Sequence, residues 1–245
     1  MLNTVIILTD FEDFYTLQIT GKILSASQKN LQIRTLRVRN YSVIEASFLI
    51  SQISKFFEKT IFVCVIDPYV GTKRRAVIIA QGKNLFVGPD NGIFSMLAQN
   101  INRVVEIDEN KFSNISKTFH GRDIFAVIAG EILNGKMPDN FGKTDKTKKI
   151  KVLNLKDKIL YIDNFGNIIT GLRNEYAKFK VGEEVKLKIK GREISARFVE
   201  TFADEKKKLG VYCGSSGFIE IGKFRKNAGE ILKVKVGDKV EILKF

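Results

Sequence analysis

The run Thr60-Ile61-Phe62-Val63-Cys64-Val65-Ile66 constrains the fold more than any other stretch. Seven apolar or β-branched residues in succession suit a strand covered on both faces, as in a sheet with helices packed on either side. The run stops at Asp67-Pro68. Proline removes a ladder donor and biases the residue before it toward extended backbone, so the strand ends there. Gly71 turns the chain, Lys73-Arg74-Arg75 follow, and Ala76-Val77-Ile78-Ile79-Ala80 resumes as a strand. A carboxylate and a guanidinium thus share one loop at the end of a core strand, where open α/β sheets bind ligands. A plain surface turn with an ion pair has the same composition, and the loop alone leaves both readings open.

The flanking chain supplies the context. Val5-Ile6-Ile7-Leu8 reads as a first buried strand closing at Thr9-Asp10; helical spacing follows over 15–27, a strand over 31–38 and a helix over 43–57. A short strand leads into Gly88-Pro89-Asp90-Asn91-Gly92, a tight turn, and a helix starts at 93. A strand over 104–107 and a helix over 124–133 complete the pattern, the latter opened by Thr118-Phe119-His120-Gly121-Arg122-Asp123. This alternation predicts an α/β N-terminal domain with a largely parallel sheet over residues 1–148. The polar stretch from Asn134 through Lys149 reads as a linker. Seven short strands, near 159–163, 167–170, 185–189, 194–198, 209–213, 218–221 and 239–243, then predict a smaller all-β, barrel-like domain over 149–245.

Composition limits the function. A hydrophobic share of 44% with 28% charged residues is that of a globular protein, and no apolar run nears the ~18 residues of a membrane span. The first residues lack a basic segment and a cleavage site of signal-peptide type. Cys64 and Cys213 lie in separate strand-like runs, so a disulfide framework is not expected and a cytoplasmic location is. One histidine and two cysteines do not complete a standard zinc site. The net charge of +14 is concentrated in the second half: residues 1–140 carry +3 and residues 141–245 carry +11. Those cations alternate with apolar residues, as in Val185-Lys186-Leu187-Lys188-Ile189-Lys190, the pattern of a solvated sheet face rather than of a nucleic-acid groove.

Several residues carry candidate chemistry. Asp10, at the end of a buried strand, can accept two hydrogen bonds from a vicinal diol or act as a turn acid. His120 precedes a glycine at a helix start, where it can accept or orient a proton. Asp163, Phe165 and Asn167 put an acid, an aromatic and an amide within five residues; a hairpin turn has the same chemistry. Gly214-Ser215-Ser216-Gly217 can hold a carboxylate through hydroxyls and backbone N–H groups.

Taken in order, these motifs closely resemble the S-adenosylmethionine (SAM) hydroxide adenosyltransferases, relatives of fluorinase and chlorinase. The resemblance rests on Thr9-Asp10-Phe11, Asp67-Pro68 with Arg74-Arg75, Val87-Gly88-Pro89-Asp90-Asn91-Gly92, Phe119-His120-Gly121-Arg122-Asp123, Ile162-Asp163 with Phe165-Gly166-Asn167, and Ser215-Ser216-Gly217-Phe218 with Glu220. It implies hydrolysis of SAM to adenosine and methionine, SAM being substrate and no cofactor or metal being needed, in a homotrimer with sites between subunits. It implies a water-activating set of Asp67, Arg74 and His120. Asp10 and Asp13 would meet the ribose, and Asp163, Phe165 and Asn167 the methionine and adenine. Ser215, Ser216 and Glu220 fall at the methionine end, the backbone near Lys223 at the adenine edge, and Phe202 in an aromatic wall. Glu12 and Tyr69 stand where the family usually has glycine, and the turn after Asp10 is shorter.

In such a reaction the leaving group is a neutral thioether, so no acid is needed there. An activated water in line with the C5′–S bond is. Asp67 and His120 are both candidates for its proton acceptor. The halide-using relatives typically carry tyrosine at the position of His120, and fluorinase has an extra loop after the Asp-Pro motif for which this chain has no room. A halogenase-like enzyme, a SAM-binding protein without turnover and a basic nucleic-acid-binding protein are the competing readings.

Overall fold

Successive residues of the central strands of the first domain are buried on alternate faces of the sheet. In β1 (Thr4–Thr9) and β3 (Thr60–Cys64), Val5, Ile7, Ile61 and Val63 face one apolar layer, while Ile6, Leu8, Phe62 and Cys64 face the other. The structure, a computed structural model, describes residues 2–27 and 30–244. It divides into two units, Met1–Leu153 and Asn154–Phe245.

The first unit contains β2 (Gln32–Arg37), β4 (Ala76–Gln81), β5 (Asn84–Pro89), β6 (Arg103–Ile107) and β7 (Gly142–Asp145) besides β1 and β3, in one sheet of order β2-β1-β3-β5-β4-β6-β7. Helices α1 (Asp13–Ala26) and α3 (Ala126–Leu133) cover one face through Ile19, Ile23, Ile128 and Ile132, and α2 (Val43–Ile53) covers the other through Ala46 and Ile50. Burying both faces explains why β1 and β3 are continuously apolar.

Two expectations need correction. The sheet is mixed rather than largely parallel: β1 pairs in parallel with β2 and β3, and β3 with β5, but β4–β5, β4–β6 and β6–β7 are antiparallel. The cause is the short connection Gly82-Lys83 between β4 and β5, too brief for a crossover, which folds them into a hairpin. The stretch read as linker contains β7, an edge strand whose Gly142-Lys143-Thr144-Asp145 has no apolar alternation to reveal it. The following segment stays tied to this unit, since Lys151 and Leu153 donate their N–H groups to the side chains of Asp90 and Ser95.

The second unit is a curled seven-stranded sheet. Its strands are β8 (Ile159–Ile162), β9 (Ile168–Arg173), β10 (Glu184–Ile189), β11 (Arg192–Phe198), β12 (Leu209–Cys213), β13 (Phe218–Gly222) and β14 (Val240–Lys244), in the order β14-β10-β11-β12-β13-β9-β8. A bridge between Lys158 and Lys239 joins the two ends of the sheet. Val185, Leu187, Val211, Ile219 and Ile221 fill the interior with α4 (Ala228–Leu232) packed against them. The lysines alternate outward and are laced to acids, among them Lys186–Glu193, Lys190–Asp238 and Lys208–Glu184.

Candidate active site

In the first unit, parallel β1 and β3 end side by side, with Leu8 opposite Cys64, so the acids that follow both strands emerge at one edge. Val65 and Ile66 continue β3 in buried form, the Val65 N–H bonding the Leu8 carbonyl and the Ile66 carbonyl accepting from the Asn91 amide. The Gly88–Gly92 turn thereby braces the backbone that carries Asp67. The loop 67–72 folds on itself, with the Val70 N–H on the Asp67 carbonyl and the Thr72 hydroxyl on that of Tyr69, and this returns Arg74 over Asp67.

Arg74 is the hub. Its Nε and Nη2 both lie 2.8 Å from Asp67 Oδ2, its Nη2 lies 2.8 Å from His120 Nδ1, and its Nη1 lies 3.0 Å from Glu109 Oε1. The side chains of Asp67, Arg74 and His120 are only 7–8% exposed, so little solvent screens these contacts. The guanidinium also lies 5.9 Å from the centroid of the Phe125 ring. His120 starts a π-helical turn, Gly121–Phe125, of the kind enriched at functional sites. Gly121 is required there, because a Cβ would fall 2.2 Å from Val65 Cγ1.

Asp10, Asp67 and His120 line one cavity of about 60 Å³, together with Phe11, Tyr41 and Phe119. That space suits solvent; small-molecule sites run to about 300–1,000 Å³. Asp10 Oδ2 accepts the Tyr41 N–H at 2.7 Å. Tyr41 holds φ +61°, a backbone region that non-glycine residues seldom adopt, and its position had no signal in the sequence. Asp13 is not drawn in: it is exposed on the first turn of α1, paired with Arg37. Tyr69 is half-exposed with Lys151 Nζ 5.5 Å from its ring centre.

In the second unit Asp163 organises the loop between β8 and β9. Its Oδ1 accepts the N–H groups of Phe165 and Asn167 at 2.9 and 2.8 Å, and its Oδ2 accepts the Asn167 side-chain amide at 3.0 Å. Gly166 holds φ +86° against Asn227, leaving the Phe165 ring 80% exposed. Glu220 stands directly opposite Tyr212 in the β12–β13 register and accepts a hydrogen bond from its hydroxyl. Burial pushes the Glu220 carboxyl up; the Tyr212 hydrogen bond opposes this and the Asp163 charge adds to it. The Tyr212 phenol is also raised, chiefly by burial and then by the Glu220 charge. Phe202 packs on Tyr212 with ring centres 6.3 Å apart. Ser215 is exposed, and the buried Ser216 Oγ has no hydrogen-bond partner among the described residues. Lys223 spends its ammonium on the carbonyls of Lys206 and Lys208.

The structure therefore brings Asp10, Asp67, Arg74 and His120 together in one unit, and Asp163, Asn167, Glu220 and Phe202 around Tyr212 in the other. Among the described residues no three His, Cys, Asp or Glu side chains gather as a metal site. Tyr212 and Glu109 escaped the sequence reading; an inward tyrosine opposite a conspicuous Glu was the only available signal, and only for the first.

Comparison with known proteins bears on both units. The family model of the SAM hydroxide adenosyltransferase N-terminal domain matches residues 5–142, and that of the C-terminal domain matches residues 157–241. A Methanocaldococcus jannaschii protein named (R)-S-adenosyl-L-methionine hydrolase is 32% identical over 99% of this chain and 97% of its own. A Thermus thermophilus protein of the same name is 32% identical over 76% of each chain. A crystal structure of a conserved Thermotoga maritima protein superposes with a TM-score of 0.85 at 28% identity, covering 98% of this chain and all of that one.

Proposed function

The chain belongs to the SAM hydroxide adenosyltransferase family, and on that footing we propose that it hydrolyses S-adenosyl-L-methionine to adenosine and L-methionine. The observation that carries this reading is the convergence of Asp67 and His120 on Arg74 beside a cavity of solvent size.

The chemistry follows from charge. The sulfonium leaves as a neutral thioether, so the departing group needs no proton. Water brings two hydrogens and adenosine keeps one, so each turnover releases a proton. Water held about 3–3.5 Å from C5′ and relieved of that proton is the nucleophile. Arg74 fixes the Asp67 carboxylate from two nitrogens, so its orientation costs nothing at the moment of reaction. Asp10 is assigned to the ribose diol. Asp163, Asn167, Glu220 and the 215–216 hydroxyls are assigned to the methionine end, and Phe165, Phe202 and the backbone near Lys223 to the adenine. We take the working form to be a cytoplasmic homotrimer with its sites between subunits. No helix among the described residues is long and apolar enough to cross a membrane.

The test is incubation of SAM with the enzyme in H₂¹⁸O, with products separated by chromatography. Equal amounts of adenosine and methionine are expected, with the label on the adenosine 5′ oxygen and about 10²-fold less of both from His120→Ala. Tight binding of SAM without release of adenosine would overturn the proposal.

A further inference from the structure

Glu109 lies outside every motif named above, in the short turn that follows β6, yet its half-exposed carboxylate is the fourth member of the cluster. Its Oε1 is 3.0 Å from Arg74 Nη1 and 3.4 Å from His120 Nδ1. A guanidinium has five N–H donors, no acceptor, and does not give up its proton in proteins. The 2.8 Å contact between Arg74 Nη2 and His120 Nδ1 therefore requires a lone pair on Nδ1, which leaves the ring proton on Nε2. The 3.4 Å separation of Nδ1 from Glu109 is longer than an ordinary hydrogen bond, as expected of two acceptors served by one guanidinium. Nδ1 is thus occupied, and His120 lines the cavity that Asp67 also lines.

Resting on the hydrolase reading, we infer that His120 acts as a hydrogen-bond donor through Nε2–H, that Asp67 is the proton acceptor, and that Glu109 is the positioning residue that fixes this division of roles through Arg74. Asp67 Oδ2 is engaged by Arg74, but among the described residues Oδ1 meets only the Tyr69 N–H, at 3.3 Å, and a carboxylate has about four lone-pair sites. A water that accepts from His120 and donates to Asp67 is held from two sides. Its oxygen forms the bond to C5′ as the C5′–S pair leaves with sulfur. The water proton passes to Asp67 and then to solvent. Glu109, 39% exposed where the others are sealed, holds Nη1 and so presents Nη2 to the imidazole.

His120 is the only histidine in the sequence, so ¹⁵N spectra of the labelled protein contain one imidazole. With Nδ1 accepting from Arg74, the expected spectrum is a neutral ring with its proton on Nε2. Glu109→Gln, whose amide oxygen still accepts from Arg74, should keep that tautomer and stay within about threefold of wild-type kcat. Glu109→Ala should give mixed tautomers and lose about 10- to 100-fold in kcat while KM for SAM stays within about twofold. His120→Gln, whose side-chain N–H replaces the donor, should turn over at least about tenfold faster than His120→Ala. A proton on Nδ1, a charged ring, a Glu109→Gln enzyme as impaired as Glu109→Ala, or a folded His120→Gln enzyme no better than His120→Ala would overturn the inference. A wild-type enzyme that releases no adenosine would sink the hydrolase reading instead, and the spectrum would still decide the tautomer.

Discussion

Tyr212 and Glu220 face each other across the antiparallel strands β12 and β13, and the phenol donates a hydrogen bond to a carboxylate that burial already pushes toward neutrality. The hydrogen bond is what opposes that push, so Tyr212→Phe should raise the Glu220 carboxyl further. With Glu220 assigned to the cationic amino-acid end of the substrate, KM should rise as pH falls and the carboxylate is protonated, and this rise should begin at higher pH in the variant. At neutral pH the loss should be about 1–3 kcal/mol of binding, measured as KM for SAM with kcat little changed.

Asp67→Asn preserves the shape of the loop but removes the proton acceptor. A fall in kcat of about 10²- to 10⁴-fold is expected, with SAM affinity nearly kept, measured by adenosine release and by calorimetric titration. Retention of more than a tenth of the activity would exclude Asp67 as the base.

Gly121→Ala forces a Cβ to within 2.2 Å of Val65 Cγ1, at the point where the His120 turn rests on the end of β3. Overpacking of this kind costs about 1–3 kcal/mol, seen as a lower urea midpoint with an unchanged slope. Val65→Ala removes the obstructing methyl groups, so the double variant should recover part of the loss; an additive double variant would place the strain elsewhere.

Glu184 on β10 is held down to about 2 by Lys208, then Ser195 and Arg197. A carboxyl depressed in the folded state stabilises it fully above the unfolded value, near 4.5, and ceases to do so as pH falls toward 2. The urea midpoint of the wild type should therefore fall more steeply than that of Glu184→Gln between about pH 5 and 2. Parallel slopes would show that the pairing survives in the unfolded chain.

The strands of the second unit were legible because alternating apolar residues and glycine turns mark them whichever neighbour they pair with. Strand direction was not: Ile78-Ile79 looks the same in a parallel and an antiparallel ladder, and only the two-residue connection at Gly82-Lys83 made a hairpin of β4 and β5. β7 was invisible because an edge strand needs no apolar face. The helix expected from Ile124 begins with a π-turn at Gly121, three residues earlier, where the backbone closely approaches Val65. Within the site, Asp67, Arg74 and His120 could be picked out because motif and strand end coincide. Glu109 could not, because its partner lies 35 residues away and only the tertiary fold brings them together. Asp13 shows the converse: it sits in a motif, and the fold turns it to Arg37.

Asp10 and Asp67 owe their separation to hydrogen bonding between neighbouring strands that run the same way, not to the segments that follow them. Those segments can lengthen, shorten or be replaced while the spacing of the two acids holds. A scaffold so arranged lets natural variation, or an engineer, exchange the attacking species without rebuilding the frame.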